Sequence, residues 1–94
     1  MDIRIVSGFG MEDEVRSLFS EYTDMLVSID PSFSIYLSIQ HYDDEIRSLC
    51  DKYGPPYGRL YLLLVDGEAA GCIALRRLSD SDAELKRLYI RPRY

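Results

Sequence analysis

The stretch from Leu60 to Arg91 constrains this chain more than any other. Leu60 to Val65 is an apolar run, Asp66-Gly67 follows it, and Ala69 to Arg77 is a second run. An Asp-Gly pair between apolar runs predicts a hairpin, because both residues tolerate positive φ and the resulting turn matches the strand twist. Ser79-Asp80-Ser81-Asp82 is a polar turn, and Ala83 to Arg91 reads as a third strand. Strands joined by links this short neighbour one another antiparallel, so a meander is expected. Gly71, inside the return strand, predicts a bulge or a close neighbour, since it has no side chain to pack.

The first half reads as one strand and two helices. Asp2 to Val6 alternates and is ended by Ser7-Gly8-Phe9-Gly10. Val15, Leu18, Phe19, Tyr22, Met25, Leu26 and Ile29 then form one stripe at helical spacing. Glu12, Asp13 and Glu14 crowd its first turn, where carboxylates suit the helix dipole, and Asp30-Pro31 ends it. Phe33, Ile35, Leu37 and Ile39 alternate with Ser34, Tyr36, Ser38 and Gln40, so Phe33 to Gln40 is expected to be extended. A second helix is expected over Asp43 to Tyr53, with Ile46, Leu49, Cys50 and Tyr53 as its stripe and Tyr42 one turn earlier. Gly54-Pro55-Pro56 stops it. The expected fold class is α+β: β-α-α-β-β-β, an antiparallel meander with two helices packed on it, in one domain over residues 1–94.

Charge and cysteine usage narrow the function. Residues 1–58 carry 4 basic and 11 acidic side chains, and residues 59–94 carry 7 basic and 5 acidic. The whole chain has a net charge of −5, which argues against nucleic acid as a partner. The local cationic end suits one small anionic ligand, or is an ordinary solvated strand. Cys50 and Cys72 lie 22 residues apart with no metal-ligand spacing, so no metal is expected and both read as buried free thiols. The longest apolar run, Leu60 to Val65, is far short of the ~20 residues that span a bilayer, and the N-terminus lacks a signal-peptide pattern. A cytoplasmic protein without membrane contact is expected.

Three segments carry a family resemblance. Leu37-Ser38-Ile39-Gln40 followed by Tyr42-Asp43-Asp44-Glu45 resembles the link into the second helix of a bacterial subgroup of the GNAT superfamily, the acyl-CoA-dependent N-acyltransferases. Asp66 to Arg76 resembles that family's hairpin, and Glu84-Leu85-Lys86-Arg87-Leu88-Tyr89-Ile90-Arg91-Pro92 resembles the strand leading to its cofactor loop. The resemblance covers the whole chain but only the front of the family domain.

The resemblance implies an N-acetyltransferase that moves an acetyl group from acetyl-CoA to a small-molecule or peptide amine. It implies that Leu88, Tyr89 and Ile90 form the wall along which the pantetheine arm lies, held by main-chain groups; plain sheet pairing is the alternative. It implies Glu84 as the proton-accepting carboxylate, against a strand glutamate paired with Lys86 or a cross-strand arginine. His41 is a rival proton carrier by residue type, or a loop histidine. Tyr36, Gln40 and Tyr42 are implied on the acceptor side, or are half-exposed packing residues.

The family's glycine-rich pyrophosphate loop would begin just past Tyr94. The chain is therefore expected to be an N-terminal fragment, inactive on its own. The alternatives are a non-enzymatic interaction module, or one half of a split enzyme. In the first two readings an open terminal strand is expected to pair with a second copy, giving a homo-oligomer.

Overall fold

The computed structural model describes residues 1–39 and 41–94. Its elements are β1 (Ile3–Ser7), α1 (Glu12–Ile29), α2 (Phe33–Ile39), α3 (Tyr42–Arg47), α4 (Leu49–Tyr53), β2 (Gly58–Val65), β3 (Glu68–Arg77) and β4 (Ala83–Ile90). The four strands form one antiparallel sheet in the order β1-β2-β3-β4. Fold class and meander are as the sequence predicts. None of the described helices is long and apolar enough to cross a membrane.

Local chemistry explains the sheet. Asp66 and Gly67 have φ of 50° and 83°, the positive pair that a two-residue hairpin turn of the right twist demands. The β2–β3 register slips between Leu63 and Leu64, leaving Ala70 as an extra residue beside Gly71. Gly71 also lets β4 come close. A methyl group there would sit 2.5 Å from Ile90 Cδ1 and 2.6 Å from the Tyr89 carbonyl oxygen. Because one of those atoms is backbone, Gly71→Ala is expected to push β4 away and cost about 1–3 kcal/mol, read as a lowered denaturant midpoint.

One face of the sheet carries the helices and the core. Val15, Leu18 and Phe19 of α1 and Leu49 and Tyr53 of α4 bury against Leu60, Leu62, Cys72, Ala74 and Tyr89. Phe19 and Tyr53 meet edge to face, with centroids 6.2 Å apart. Among the described residues no helix covers the other face. Ile3, Ile5, Leu85, Leu88 and Ile90 are exposed there. Ile5, Tyr61, Leu63, Ile73, Leu88 and Ile90 border an apolar depression of about 220 Å³ on that side.

Three sequence expectations are corrected. Residues Phe33–Ile39 are helix, not strand. Asp30 both ends α1 and starts α2: its carboxylate accepts the Ser32 N–H (3.0 Å) and hydroxyl (2.8 Å), with Pro31 at the next position. This is an Asx-type turn, with proline inside it, that leads the chain into α2 at Phe33. Because α2 buries none of its residues, its alternating apolar pattern has no sheet face to serve. The expected second helix is broken at Ser48 (φ −139°), which rephases its last turn. Leu49 and Tyr53 therefore point inward, and Cys50 is exposed rather than buried.

Candidate functional site

β4 has a strand partner on one side only among the described residues. Arg91 donates its N–H to the Ala70 carbonyl at 2.8 Å, across to β3. Main-chain groups of alternate residues point to alternate sides of a strand. Those of Tyr89, opposite Cys72, therefore point to β3, and those of Ile90 and Leu88 point to the open side. The Leu88 and Ile90 side chains lie on the bare sheet face, 55% and 43% exposed. Tyr89 instead buries its ring in the helix layer, 5.9 Å from that of Tyr22. Arg91 ties the end of the strand to α1 through Glu21 (2.7 Å).

A bulge interrupts β4. Cys72 pairs with Tyr89 and Ala74 with Lys86, so Ile73 faces both Arg87 and Leu88. Arg87 takes φ of 58°, a left-handed conformation that costs a non-glycine residue about 1–2 kcal/mol. It is held from several directions. Its guanidinium donates to both carboxylate oxygens of Glu45 on α3, at 2.8 and 3.0 Å. It also lies over the Tyr42 ring, 5.3 Å from the centroid, and its carbonyl accepts the Cys72 thiol at 3.2 Å. Arg87 and Glu45 are only 6% and 4% exposed.

More charge gathers around this pair. Lys52 of α4 donates to Glu45 at 2.6 Å. Burial of Glu45 by itself raises its pKa, but the hydrogen bonds and charges of Arg87 and Lys52 outweigh that and hold the carboxyl below its usual value. Lys86, on the same side, is lowered to about 8, first by burial and then by the charges of Arg87 and Lys52. Burial pushes the Cys72 thiol up to about 12, so it is a packed thiol and not a thiolate at neutral pH.

The other sequence-predicted residues are spread out. Tyr42 opens α3 and joins the β4 bulge through Arg87; its hydroxyl meets that of Thr23 at 3.4 Å. It also borders a groove of about 420 Å³ between α1, α2 and α3, lined by Val27, Ser34, Leu37, His41, Asp43 and Asp44 among others. Tyr36 is exposed and its ring is tilted against that of Phe33, outside that groove's wall. Gln40 lies outside the described residues. His41 is a left-handed residue in the loop before α3. Glu84 lies at the opposite end of β4 from Ile90 and bonds across the sheet to Arg76 at 3.0 Å, with Lys86 at 3.9 Å. Among the described residues no cluster of side chains has the makings of a metal site.

The pairing of Glu45 with Arg87 and Lys52 was missed by the sequence reading. One signal for the bulge was present. Lys86-Arg87 sets two cations side by side in an otherwise alternating strand, which a regular strand would send to opposite faces.

No protein-family model matches the chain. It is 36% identical over 80 residues to an uncharacterized N-acetyltransferase of Dictyostelium discoideum, covering 84% of this chain and 34% of that protein. It is 34% identical over 82 residues to an uncharacterized N-acetyltransferase of Schizosaccharomyces pombe, covering 85% of this chain and 46% of that protein. The chain thus spans about a third to a half of the length of these curated relatives. Its fold matches the crystal structure of an acetyltransferase from Streptococcus agalactiae with a TM-score of 0.66 at 21% identity, over 98% of this chain and 54% of the other. The similarity to part of two proteins named N-acetyltransferases, together with a fold shared with a solved acetyltransferase, supports a GNAT-type segment.

Proposed function

We propose that the protein containing these residues is an acyl-CoA-dependent N-acetyltransferase, and that this segment supplies the donor wall and the acceptor side of its cleft. The observation that carries this reading is the open side of β4, where Leu88 and Ile90 present main-chain groups beside a bulge. The pantetheine arm of acetyl-CoA carries two amide groups, and an unpaired strand edge offers them donors and acceptors as a further strand would. Acetyl-CoA supplies the acetyl thioester. Leu88 and Ile90 hold and align it by main-chain bonds, which brings donor and amine into reacting geometry.

On the acceptor side, the groove beside Tyr42 carries Asp43 and Asp44, which suit a cationic amine, small or peptide-borne. Glu84 takes the amine proton through water; its side chain is reachable by solvent and held by Arg76. A second copy can occupy the same edge: it runs beside the apolar patch of Leu85, Leu88 and Ile90, so β4-to-β4 pairing in a homo-oligomer is the second reading.

Thermal unfolding of the full-length protein with and without acetyl-CoA tests the first reading. A ligand present at a hundredfold over its Kd adds about 2.7 kcal/mol to stability, a shift of several degrees in Tm. An unchanged Tm at millimolar acetyl-CoA would rule the reading out.

A further inference from the structure

We propose that the buried Glu45–Arg87 pair is a positioning device that decides which main-chain groups β4 offers to the acyl donor. The inference rests on the acyl-CoA reading above and assigns a role to two residues that the reading does not use.

A strand alternates both its side chains and its main-chain groups, so a slip of one residue exchanges everything beyond it. If Lys86 stayed opposite Ala74 and the residues after it paired one to one with β3, with no bulge, Leu88 and Ile90 would turn into the helix layer and Tyr89 onto the bare face. The main-chain groups of Tyr89 would then face the open side in place of those of Leu88 and Ile90. The bulge therefore sets the pattern of donors and acceptors along the edge.

The bulge is not favoured by its own sequence. Arg87 carries a Cβ in a left-handed conformation that glycine would adopt without strain. Such conformations persist where the surroundings over-determine them. Here the surroundings are specific: the bidentate bond from Glu45, the Tyr42 ring and the Cys72 thiol on the carbonyl. The bond from Glu45 reaches the bulge from α3, the helix that also brings Tyr42 to the acceptor groove. Packing alone does not require this arrangement. Apolar side chains of similar volume fill such space as well as a buried ion pair does, and often better. What they lack is a directional bond that fixes one backbone conformation at one residue. The pair thus links the acceptor-side helix to the donor-side strand at the point where the strand changes phase.

The test separates positioning from stability. In the full-length protein, Glu45→Leu is combined with Arg87→Met, so that no buried charge of the pair is left unpaired. Thermal unfolding and calorimetric titration with acetyl-CoA are measured for this variant and for the parent. The expected result is a variant that still unfolds cooperatively, with acetyl-CoA affinity at least tenfold weaker. A folded double variant that binds acetyl-CoA as the parent does overturns the positioning role and leaves the acyl-CoA reading intact. A parent that shows no saturable binding of acetyl-CoA overturns both. Should the double variant fail to fold, Glu45→Gln decides by the same two outcomes, because it keeps the shape and removes the charge.

Discussion

Glu45→Ala is expected to lower the stability of this fold by about 3–5 kcal/mol, the usual cost of leaving a buried charge without its partner. The reason is the number of cations that share this one carboxylate. Arg87 and Lys52 both bond to it, and Lys86 lies in the same cationic cluster. A domain of ordinary stability has about 5–15 kcal/mol in total, so the variant should be largely unfolded at temperatures the parent tolerates. Chemical denaturation followed by circular dichroism measures it. A change below 1 kcal/mol would show that the cluster is solvated and that its buried geometry is not what holds α3 to β4.

The same group sets a pH dependence. The Glu45 carboxyl is held below 4.5, so the folded state binds its proton less readily than the unfolded state does. Its stabilising contribution is complete above the unfolded value near 4.5 and is lost as the pH falls through the lower folded value. Parent protein should lose Tm as pH drops below about 4.5, and Glu45→Gln should show a shallower fall over that range.

The second large effect concerns activity. Ile90→Pro is expected to abolish acetyl-CoA binding while leaving the sheet assembled. The Ile90 N–H points to the open side of β4, so proline removes a donor that the pairing with β3 does not use. Proline is tolerated on an edge strand in that position alone. Loss of one main-chain bond and obstruction of the edge by the ring should together reduce affinity at least a hundredfold, read by calorimetry on the full-length protein. Tyr89→Pro is the control. Its N–H belongs to the β3 ladder, so that variant should lose the fold itself.

What was legible in the sequence follows from how local each cause is. Asp66-Gly67 and Ser79 to Asp82 set turns by their own conformational preferences, and the meander followed from them. The α1 stripe is long and periodic, and its first half buries as expected; Met25 and Ile29 run on past the sheet and stay exposed. The α2 segment defeated the periodicity argument because none of its residues is fully buried; Phe33 and Leu37, one helical turn apart, are half-buried and the rest are exposed. The decisive marks were Asp30 and Pro31, which close α1 and form the turn that leads into α2. Cys50 was misplaced because one residue, Ser48, breaks the helical phase ahead of it.

The site was legible in outline only. That Leu88 and Ile90 share a strand phase could be read from alternation. That an extra residue precedes them needed the register with β3. The Glu45–Arg87 bond joins residues 42 positions apart, and nothing local to either announces it. For Glu84, spacing along the strand could be read, but the pairing with Arg76 depends on the hairpin register.

The main-chain groups of Leu88 and Ile90 are the centre of this account, and amide NMR observes them directly. On titrating acetyl-CoA into the labelled full-length protein, the Leu88 and Ile90 amides should shift most within β4 and become protected from hydrogen exchange. Saturable binding that leaves both amides unmoved and still exchanging would contradict the assignment of the open β4 edge as the donor wall.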